Sequence, residues 1–428
     1  MIYPKKLTTY RRRKFRTTLL QEMCGTEKPH KRQQGSVVDL LKAWKIYYKD
    51  KGWDKVARFR SSGKLGIPYV LFKSKNIVDP EVRKEKWDKT RPIAPTFHHP
   101  MREILSLVGR ALYFMASRME GEHFVLNTTT EVPKLLKTAM QQFAGRQLNV
   151  QTLDITGCFP NMPKDEIREG IQKMVTTFRA QGKQGVSVPG RGKARKCTWK
   201  QCTAPYKWIP FSLMLEVLDF SLEQAIFTTR DGKLIRQKKG IPMGDPLSPA
   251  MCITACAHME MRWMRNLSPG KKSQFTASRY MDDILLISTT MGAEHEELMA
   301  GLHACYSSPL SLEEGADGVF LETQFRVIGD HIAYRLKNVN TGTQRKVWRY
   351  HDFSSYVPYV QKRSTMLATL KKVHCMAGSK NERWESAEDK LKEFARIGYP
   401  VKVRQYVCFK MFKETDDETW VGIATRQN

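Results

Sequence analysis

The sequence predicts an α+β protein, and three patterns support that fold class. Residues 148–155 (LNVQTLDI) are typical of a strand. Pro163 opens a helix whose apolar residues repeat at the spacing of one helical face. Residues 279–287 (RYMDDILLI) place an acidic turn between two short apolar segments, as in a β-hairpin. The middle of the chain therefore alternates strands and helices.

Further helices are predicted on both sides of this region. They are expected over 36–48, 100–120 and 210–226, from near Pro246 or Ser248 onward, and in two apolar stripes near the end of the chain. Gly398 and Pro400 end the last stripe in a way typical of helices. Residues 1–35 are predicted to form a basic arm. Residues 181–200 are rich in Gly, Lys and Arg, and we expect a basic surface insertion there.

The charge of the chain indicates a polyanionic partner. Its 428 residues carry 72 Lys and Arg against 43 Asp and Glu, a net charge of +29. An excess of this size is typical of proteins that bind nucleic acid. The hydrophobic fraction of 41% excludes a disordered chain.

Membrane and secreted classes are not expected. Even the most apolar region, 101–119, contains four charged residues, and no signal-peptide core begins the chain. The nine cysteines are odd in number and scattered, which favours reduced thiols in an intracellular protein. Cys197 and Cys202 have the spacing of some zinc ligands, but no second pair matches them. Cys252 and Cys256 are one helical turn apart and are expected to be packing residues.

Two acidic sites carry the candidate chemistry. Asp154 ends the LNVQTLDI strand, and Asp282 and Asp283 lie in the predicted hairpin turn. Carboxylates beside Ile-Leu-Leu-Ile are costly unless a cation neutralises them. Two Mg²⁺ ions about 3.5–4 Å apart would do so, and such a pair suits in-line phosphoryl transfer. A lone Asp-Asp is usually a surface turn or a helix cap, so the second acidic site upstream is what favours a metal centre.

A glycine- and proline-rich loop, GIPMGDPLSPAM (240–251), lies between the acidic sites. Taken alone, its Gly-x-Pro-x-Gly pattern is only a turn. A glycine in such a loop also allows a close approach to a base pair or a template strand.

These three elements, in this order, resemble the palm of reverse transcriptases. Asp154 with Phe159 five residues later matches the first palm motif, GIPMGDPLSP the second and YMDD the third. The segments DITGCFPNMPKDEI and LSLEEGADGVFLETQF are most similar to the Penelope-like retroelement branch, which is related to telomerase. RPIAPTFHHP (91–100) resembles the fingers motif, and KRSTMLATLKKVH resembles the thumb. The resemblance implies a right-hand polymerase with fingers, a palm containing a small antiparallel sheet, and a helical thumb.

The resemblance assigns roles to matching positions. Asp154, Asp282 and Asp283 would be catalytic and would bind two Mg²⁺ ions, or Mn²⁺, with the main-chain carbonyl of Ile155 as a further ligand. The nucleotide-binding candidates are Arg91, Lys73, Lys75, Phe159, Gly244 and Met281. The primer and template candidates are Tyr280, Pro242, Pro246, Phe320 and Leu321.

Two of these roles have specific chemical reasons. An aromatic ring at Phe159 would clash with a ribose 2′-hydroxyl and so select dNTPs, although the ring could instead be a core residue. Arg91 would grip the triphosphate by charge-assisted hydrogen bonds, or act as a structural cation beside Trp87. Lys73 and Lys75 could equally be solvated charges.

Three departures from the family pattern are notable, and one is the basic stretch 181–200, which lengthens the interval between the first and second motifs. Asp245 stands where the family usually has Ser, and an extra carboxylate near the template strand is unexpected in a basic groove and could alter nucleotide contacts. Only 28 residues follow Pro400, so no RNase H or GIY-YIG nuclease domain is expected here.

The predicted function is RNA-directed DNA polymerase, with an RNA template, a DNA primer and dNTPs as partners. An RNA-dependent RNA polymerase is the alternative, but such enzymes usually have Asp at the position of Phe159 and Gly-Asp-Asp in the hairpin. A silent, polymerase-derived nucleic-acid-binding protein is a third interpretation, supported only by Asp245. The predicted domains are the arm (1–35), N-terminal extension and fingers (36–145), palm (146–340) and thumb (341–428). We expect localisation in the nucleus rather than the cytoplasm.

Overall fold

A computed structural model describes residues 36–72, 90–192, 194–338, 340 and 349–427 of the chain. Before the loop 240–251, the helices and strands are α1 (Val37–Asp50), β1 (Tyr69–Phe72), β2 (Thr90–Ile93), α2 (Arg102–Ala116), α3 (Val132–Gln142), β3 (Asn149–Ile155), α4 (Cys158–Asn161), α5 (Lys164–Ala180), β4 (Gly185–Pro189), β5 (Tyr206–Pro210), α6 (Phe211–Glu223), β6 (Ile226–Thr228) and β7 (Leu234–Arg236). They are followed by α7 (Ser248–Arg265), α8 (Pro269–Lys272), β8 (Phe275–Tyr280), β9 (Asp283–Ser288), α9 (Gly292–Cys305), β10 (Leu312–Glu314), β11 (Val319–Phe320), β12 (Thr323–Ile328), β13 (His331–Leu336), α10 (Tyr359–Met376), α11 (Lys380–Arg396), α12 (Val401–Thr415) and α13 (Thr419–Thr425).

The helix ends follow from their flanking residues. Ser36 caps α1 by accepting a hydrogen bond from the backbone N–H of Asp39. Pro163, in extended conformation, immediately precedes α5, as the sequence predicted. Gly398 follows the end of α11 with a φ of 84°, which a glycine adopts without strain.

The described residues form two compact units, each drawn from three chain segments. Unit 1 contains the residues up to Val125, Ile155–Leu267 and Gly301–Leu312. Unit 2 contains Leu126–Asp154, Ser268–Ala300 and the residues from Glu313 onward. The predicted boundaries at 35, 145 and 340 remain predictions. The two units combine distant chain segments and do not correspond to an arm, fingers, palm and thumb in sequence order. The arm itself lies outside the described residues.

Unit 1 is mainly helical. Helix α5 packs against α7, and α2 packs against α6 and α7. Three short antiparallel strand pairs, β1–β2, β4–β5 and β6–β7, complete it. Helix α2 buries ten of its fifteen residues, which explains the nearly continuous apolar sequence of this segment.

The predicted basic surface insertion at 181–200 is wrong in its first half. All five residues of β4 are buried, and they pair with β5 in an antiparallel register that sets Val188 opposite Lys207. The glycines and cations around this strand obscured two buried valines in its sequence. Of the basic residues, Arg191 and Lys196 are exposed, as expected.

Unit 2 contains a four-stranded sheet in the order β10-β3-β9-β8 and a three-stranded sheet β11-β12-β13. Helix α3 and the second sheet contribute to an apolar cluster that includes Leu285 and Ile287 of β9. The four last helices form a separate core around buried Leu370, Phe394 and Trp420.

Two further sequence predictions concern membranes and thiols. In the described parts of the chain, no helix combines the length and the apolar character needed to cross a bilayer. None of the eight cysteines in those parts forms a disulfide.

Candidate active site

Three predicted catalytic residues lie at one end of the sheet in unit 2, two on adjacent strands and one in a turn. Strands β3 and β9 are antiparallel, and Asp154 lies directly opposite Asp283. On the other side of β9, Tyr280 of β8 is the partner of Asp283. Directly opposed residues project from the same face of a sheet. The side chains of Asp154, Asp283 and Tyr280 therefore form a row across three strands.

The turn between β8 and β9 consists of Met281 and Asp282. Met281 has a φ of 58°, a left-handed conformation that is uncommon outside glycine and is often found at functional sites. The Arg279 Nη1 donates a hydrogen bond of 2.8 Å to the Met281 carbonyl oxygen. The side chain of Arg279 in β8 therefore holds the turn that carries Asp282.

Arg279 is a site residue that the sequence analysis missed. Only 1% of its surface is exposed, although it is a cation in a strand next to the acidic turn. One sequence signal could have identified Arg279. It is a charged residue in a segment whose other features are typical of a buried strand. Its main-chain carbonyl oxygen also accepts a hydrogen bond from the backbone N–H of Leu126.

Asp154 and Asp283 lie at the edge of an apolar surface. Side chains alternate along a strand, so Leu285 and Ile287 share the face of Asp283. Both belong to the buried cluster of unit 2, and Tyr280 packs against it. Asp154, Asp282 and Asp283 are each half-buried. Their charges therefore lie where water solvates them less than at an open surface.

The predicted primer hairpin is formed by β11 and β12. Phe320 pairs with Thr323 across a two-residue turn, and Leu321 in that turn has a φ of 55°. Phe320 is 1% exposed and belongs to the apolar cluster of unit 2. Its side chain is therefore a core residue, and the primer contact expected of this hairpin stays a prediction. Leu321 is half-buried, and its neighbour Glu322 pairs with Lys372.

In unit 1, the first and second palm motifs contact each other. The Phe159 carbonyl oxygen accepts a 2.8 Å hydrogen bond from the Ile241 N–H. A Cβ on Gly240 would lie 2.2 Å from the Pro160 carbonyl oxygen, and Gly240 has a φ of 65°. Glycine is required here because the two backbones touch. Phe159 itself is half-buried in α4.

The position of Gly244 is fixed by contacts with Ala94 and Thr96, which lie in the segment that resembles the fingers motif. A Cβ on Gly244 would lie 2.6 Å from the Ala94 carbonyl oxygen, and the Ala94 N–H donates to the Met243 carbonyl oxygen at 2.8 Å. The Thr96 hydroxyl donates to the Gly244 carbonyl oxygen at 2.6 Å. The loop 240–246 is thus joined to the segment that follows Arg91. Gly244 is required because its backbone approaches the backbone of Ala94 closely. The template contact predicted for Gly244 remains a prediction.

The two prolines of this loop differ in exposure. Pro242 is buried, and its carbonyl oxygen accepts a 2.7 Å hydrogen bond from the Ser248 hydroxyl. Pro246 is half-buried, and its carbonyl oxygen would lie 2.4 Å from a Cβ on Gly109. A template contact from Pro242 would therefore require movement of the loop.

Asp245 is buried, which corrects the expectation of a carboxylate facing the template. Only 7% of the residue is exposed. Its Oδ1 accepts a 2.8 Å hydrogen bond from the Leu247 N–H, and its Oδ2 accepts a 3.1 Å hydrogen bond from the Ser221 hydroxyl. Burial raises the pKa of this carboxyl, while the two hydrogen bonds and the Arg102 charge oppose that shift. The residue supports the start of α7.

The remaining predicted residues are placed as follows. Arg91 is an exposed residue of β2, paired with Leu71 of β1. Lys73 and Lys75 lie outside the described residues. Ile155 ends β3 with its side chain fully buried, so only its main chain is suited to bind a metal. The structure sets Asp154 opposite Asp283 on adjacent strands of unit 2, with Asp282 in the adjoining turn. Separately, it joins the loops of Phe159, Gly244 and Ala94 in unit 1.

The carboxylate donor set suits a hard divalent cation. Asp154, Asp282 and Asp283 supply oxygen ligands from two adjacent strands and the turn between β8 and β9. Mg²⁺ prefers carboxylate oxygens and keeps several water molecules. The donor types of these residues therefore suit magnesium ions.

One family model matches the segment of the chain that contains these residues. The model of the family "Reverse transcriptase (RNA-dependent DNA polymerase)" matches residues 82–309, more than half of the chain and all three palm motifs. Comparison with curated proteins finds no match.

Solved structures show a related fold. One is a Candida albicans telomerase in complex with a TWJ fragment of telomeric RNA, with a TM-score of 0.57 and 12% identity, covering 90% of this chain and 68% of that chain. Another is a Candida tropicalis telomerase in complex with a TWJ fragment of telomeric RNA, with a TM-score of 0.48 and 13% identity, covering 90% of this chain and 62% of that one.

The first of these likenesses confirms the predicted α+β right-hand polymerase fold. The match of the family model covers the residues that build the carboxylate row and the loop 240–246. This chain belongs to the reverse transcriptase (RNA-dependent DNA polymerase) family.

Proposed function

We propose that the protein is an RNA-directed DNA polymerase that extends a primer 3′-hydroxyl with dNTPs. The observation that carries the proposal is the row of carboxylates, with Asp154 opposite Asp283 and Asp282 in the adjoining turn. The match to the reverse transcriptase family supports nucleotidyl transfer as the reaction class. The three aspartates are the side chains proposed to bind the metal ions of such a reaction.

The carboxylates are the proposed ligands of two magnesium ions. Asp154 and Asp282 would hold the ions, with Asp283 as an auxiliary group. Ions bound there would acidify the primer 3′-hydroxyl and neutralise charge on the departing pyrophosphate. Arg279 keeps Asp282 in position through its hydrogen bond to the Met281 carbonyl oxygen.

Phe159 is the proposed sugar gate. Its backbone is fixed by the hydrogen bond from Ile241 and by the contact with Gly240. The fixed backbone keeps Phe159 beside the loop 240–246, and in this proposal its ring excludes a 2′-hydroxyl by steric clash. Arg91, exposed on β2, is the proposed triphosphate ligand.

RNA template and DNA primer are the proposed macromolecular partners. The net charge of +29 supports binding to phosphate backbones, which position a duplex without identifying its sequence. Affinity for a primer–template duplex should therefore fall steeply with salt. Membership of the Penelope-like branch is part of this proposal and is supported by the motif details of the sequence.

The test is primer extension on an RNA template with dNTPs and rNTPs in parallel reactions containing Mg²⁺. We expect extension with dNTPs only, and we expect Asp282→Asn to abolish it. Asp317→Asn is the matched control, because it removes the same charge from an exposed position of unit 2. Phe159→Ala should admit rNTPs while preserving dNTP extension.

Other outcomes would redirect the assignment. Extension by the wild-type protein with rNTPs alone would identify an RNA-dependent RNA polymerase and remove the argument about Phe159. Salt-sensitive binding without extension by either substrate would favour a silent nucleic-acid-binding protein. Asp245 no longer supports that interpretation, because its carboxylate is buried at the start of α7.

A further inference from the structure

Helices α5 and α7 of unit 1 come unusually close at Gly170. A Cβ on Gly170 would lie 3.0 Å from the Thr254 carbonyl oxygen and 3.1 Å from the His258 Cβ. The absence of a side chain at Gly170 therefore allows His258 of α7 to lie against the preceding turn of α5. That turn carries two glutamates, at positions 166 and 169.

Three metal-binding side chains converge at this crossing. Glu166, Glu169 and His258 each place one ligand atom within 4.8 Å of the other two. The His258 Nε2 and the Glu169 Oε2 are 3.8 Å apart, longer than a hydrogen bond and within the separation of two ligands of one ion. The two glutamates are three residues apart on α5, so they lie on the same face of the helix.

The two oxygens of Glu166 have different environments. Its Oε1 accepts a 2.8 Å hydrogen bond from Arg262 and another from the Ser307 hydroxyl. Its Oε2 is buried and accepts no hydrogen bond from any described residue. Glu166 as a whole is only 9% exposed. A buried carboxylate oxygen without a partner is costly, and a cation is the partner that a carboxylate oxygen binds best.

We propose that Glu166, Glu169 and His258 bind a first-row divalent transition-metal ion that joins α5 to α7. One imidazole nitrogen with two carboxylates favours ions such as Zn²⁺ over Mg²⁺ and Ca²⁺, which prefer oxygen ligands alone. Arg262 already balances one glutamate charge, and the ion balances the other. The exposed Glu169 leaves a path for the ion to enter and for water to complete its coordination.

This site is separate from the proposed catalytic metal centre. Its ligands all lie in unit 1, whereas Asp154, Asp282 and Asp283 all belong to unit 2. Its role is structural, because it would cross-link two packed helices. The inference does not depend on the proposed polymerase activity.

Two other arrangements must be distinguished by experiment. Glu169 and a protonated His258 could form a simple ion pair without an ion. The buried thiols of Cys158, Cys252 and Cys256, which also lie within 4.8 Å of one another, could take up a thiophilic metal instead.

The probe is Co²⁺, titrated into the chelator-treated full chain and followed by visible absorption and bound-metal stoichiometry. All samples carry Asp282→Asn to weaken the catalytic centre. Glu169→Gln and His258→Gln test the site, and Asp165→Asn is the matched control. Asp165 lies in the same helix turn with a side chain that is 90% exposed. Cys252→Ser tests the thiol cluster.

We expect Glu169→Gln and His258→Gln each to lower the Co²⁺ affinity of one site at least about tenfold. Asp165→Asn and Cys252→Ser should leave it unchanged, and the spectrum should lack a thiolate charge-transfer band. Equal binding by wild type and both site variants would overturn the proposal in favour of the ion pair. A thiolate band lost in Cys252→Ser, with no effect of Glu169→Gln, would overturn it in favour of the cysteines.

Discussion

Asp245 offers a sharp test of the structure, because sequence and structure assign it different surroundings. In the folded protein its Oδ1 accepts from the Leu247 N–H at 2.8 Å and its Oδ2 from the Ser221 hydroxyl at 3.1 Å. Asp245→Ala removes both acceptors and leaves a buried N–H at the start of α7 without its partner. Asp245→Asn keeps one oxygen in the place of Oδ1.

The magnitude follows from these two contacts. Loss of the acceptor for the buried Leu247 N–H and of the partner of the Ser221 hydroxyl costs about 2 kcal/mol of unfolding free energy. We therefore expect Asp245→Ala to lower the stability by about that amount at pH 5. Asp245→Asn should cost less than about 1 kcal/mol, because its amide oxygen still accepts from Leu247.

The pH dependence gives a second readout. Burial raises the pKa of Asp245 above its ordinary value of 3.8. The stability contributed by the protonated carboxyl is thus complete below the unfolded-state pKa and is lost as the pH rises through the folded-state pKa. Asparagine does not titrate. The stability of Asp245→Asn relative to wild type should therefore increase as the pH rises above about 4.

Urea unfolding followed by far-UV circular dichroism at several pH values measures both effects, with primer extension run on the same samples. Ser221→Ala, which removes the other hydrogen-bond partner, is the control for the buried position. If Asp245→Ala unfolds at the wild-type urea concentration at every pH but extends primers poorly, the carboxylate faces the substrate and the structural argument is refuted.

Three further predictions concern residues that shape the two units. Gly240→Ala places a Cβ 2.2 Å from the Pro160 carbonyl oxygen at a φ of 65°, so urea unfolding should show a loss above about 2 kcal/mol. Val188→Ala in β4 should cost about 2 kcal/mol in the same assay, whereas no loss would restore the predicted surface insertion. Arg279→Lys should lower kcat for primer extension about tenfold with little change in duplex affinity, because the Met281 turn loses its 2.8 Å hydrogen bond. An equal fall in affinity would contradict that positioning role.

Local sequence patterns predicted much of the fold. The turn residues between two apolar segments predicted the β8–β9 hairpin, and the apolar spacing after Pro163 predicted α5. These features depend on residues close together in the chain. The three catalytic candidates were identified for the same reason, since each acidic motif adjoins a strand of its own.

What the sequence did not predict depends on distant contacts. Asp245 lies among glycine and proline, which says nothing about its burial against Ser221 of α6. The strand β4 is buried by its partner β5, although the cations around it suggested a surface segment. Phe320 is likewise a core residue because α3 and β13 contribute to the same apolar cluster.

The pairing of β3 with β9 has a consequence for synthesis of the protein on the ribosome. Asp154 and its partner Asp283 are separated by about 130 residues of chain. At about 5–20 residues per second, Asp154 leaves the ribosome roughly 10 s before its partner strand exists. During translation the apolar residues of β3 therefore lack their sheet neighbour until β9 has been synthesised.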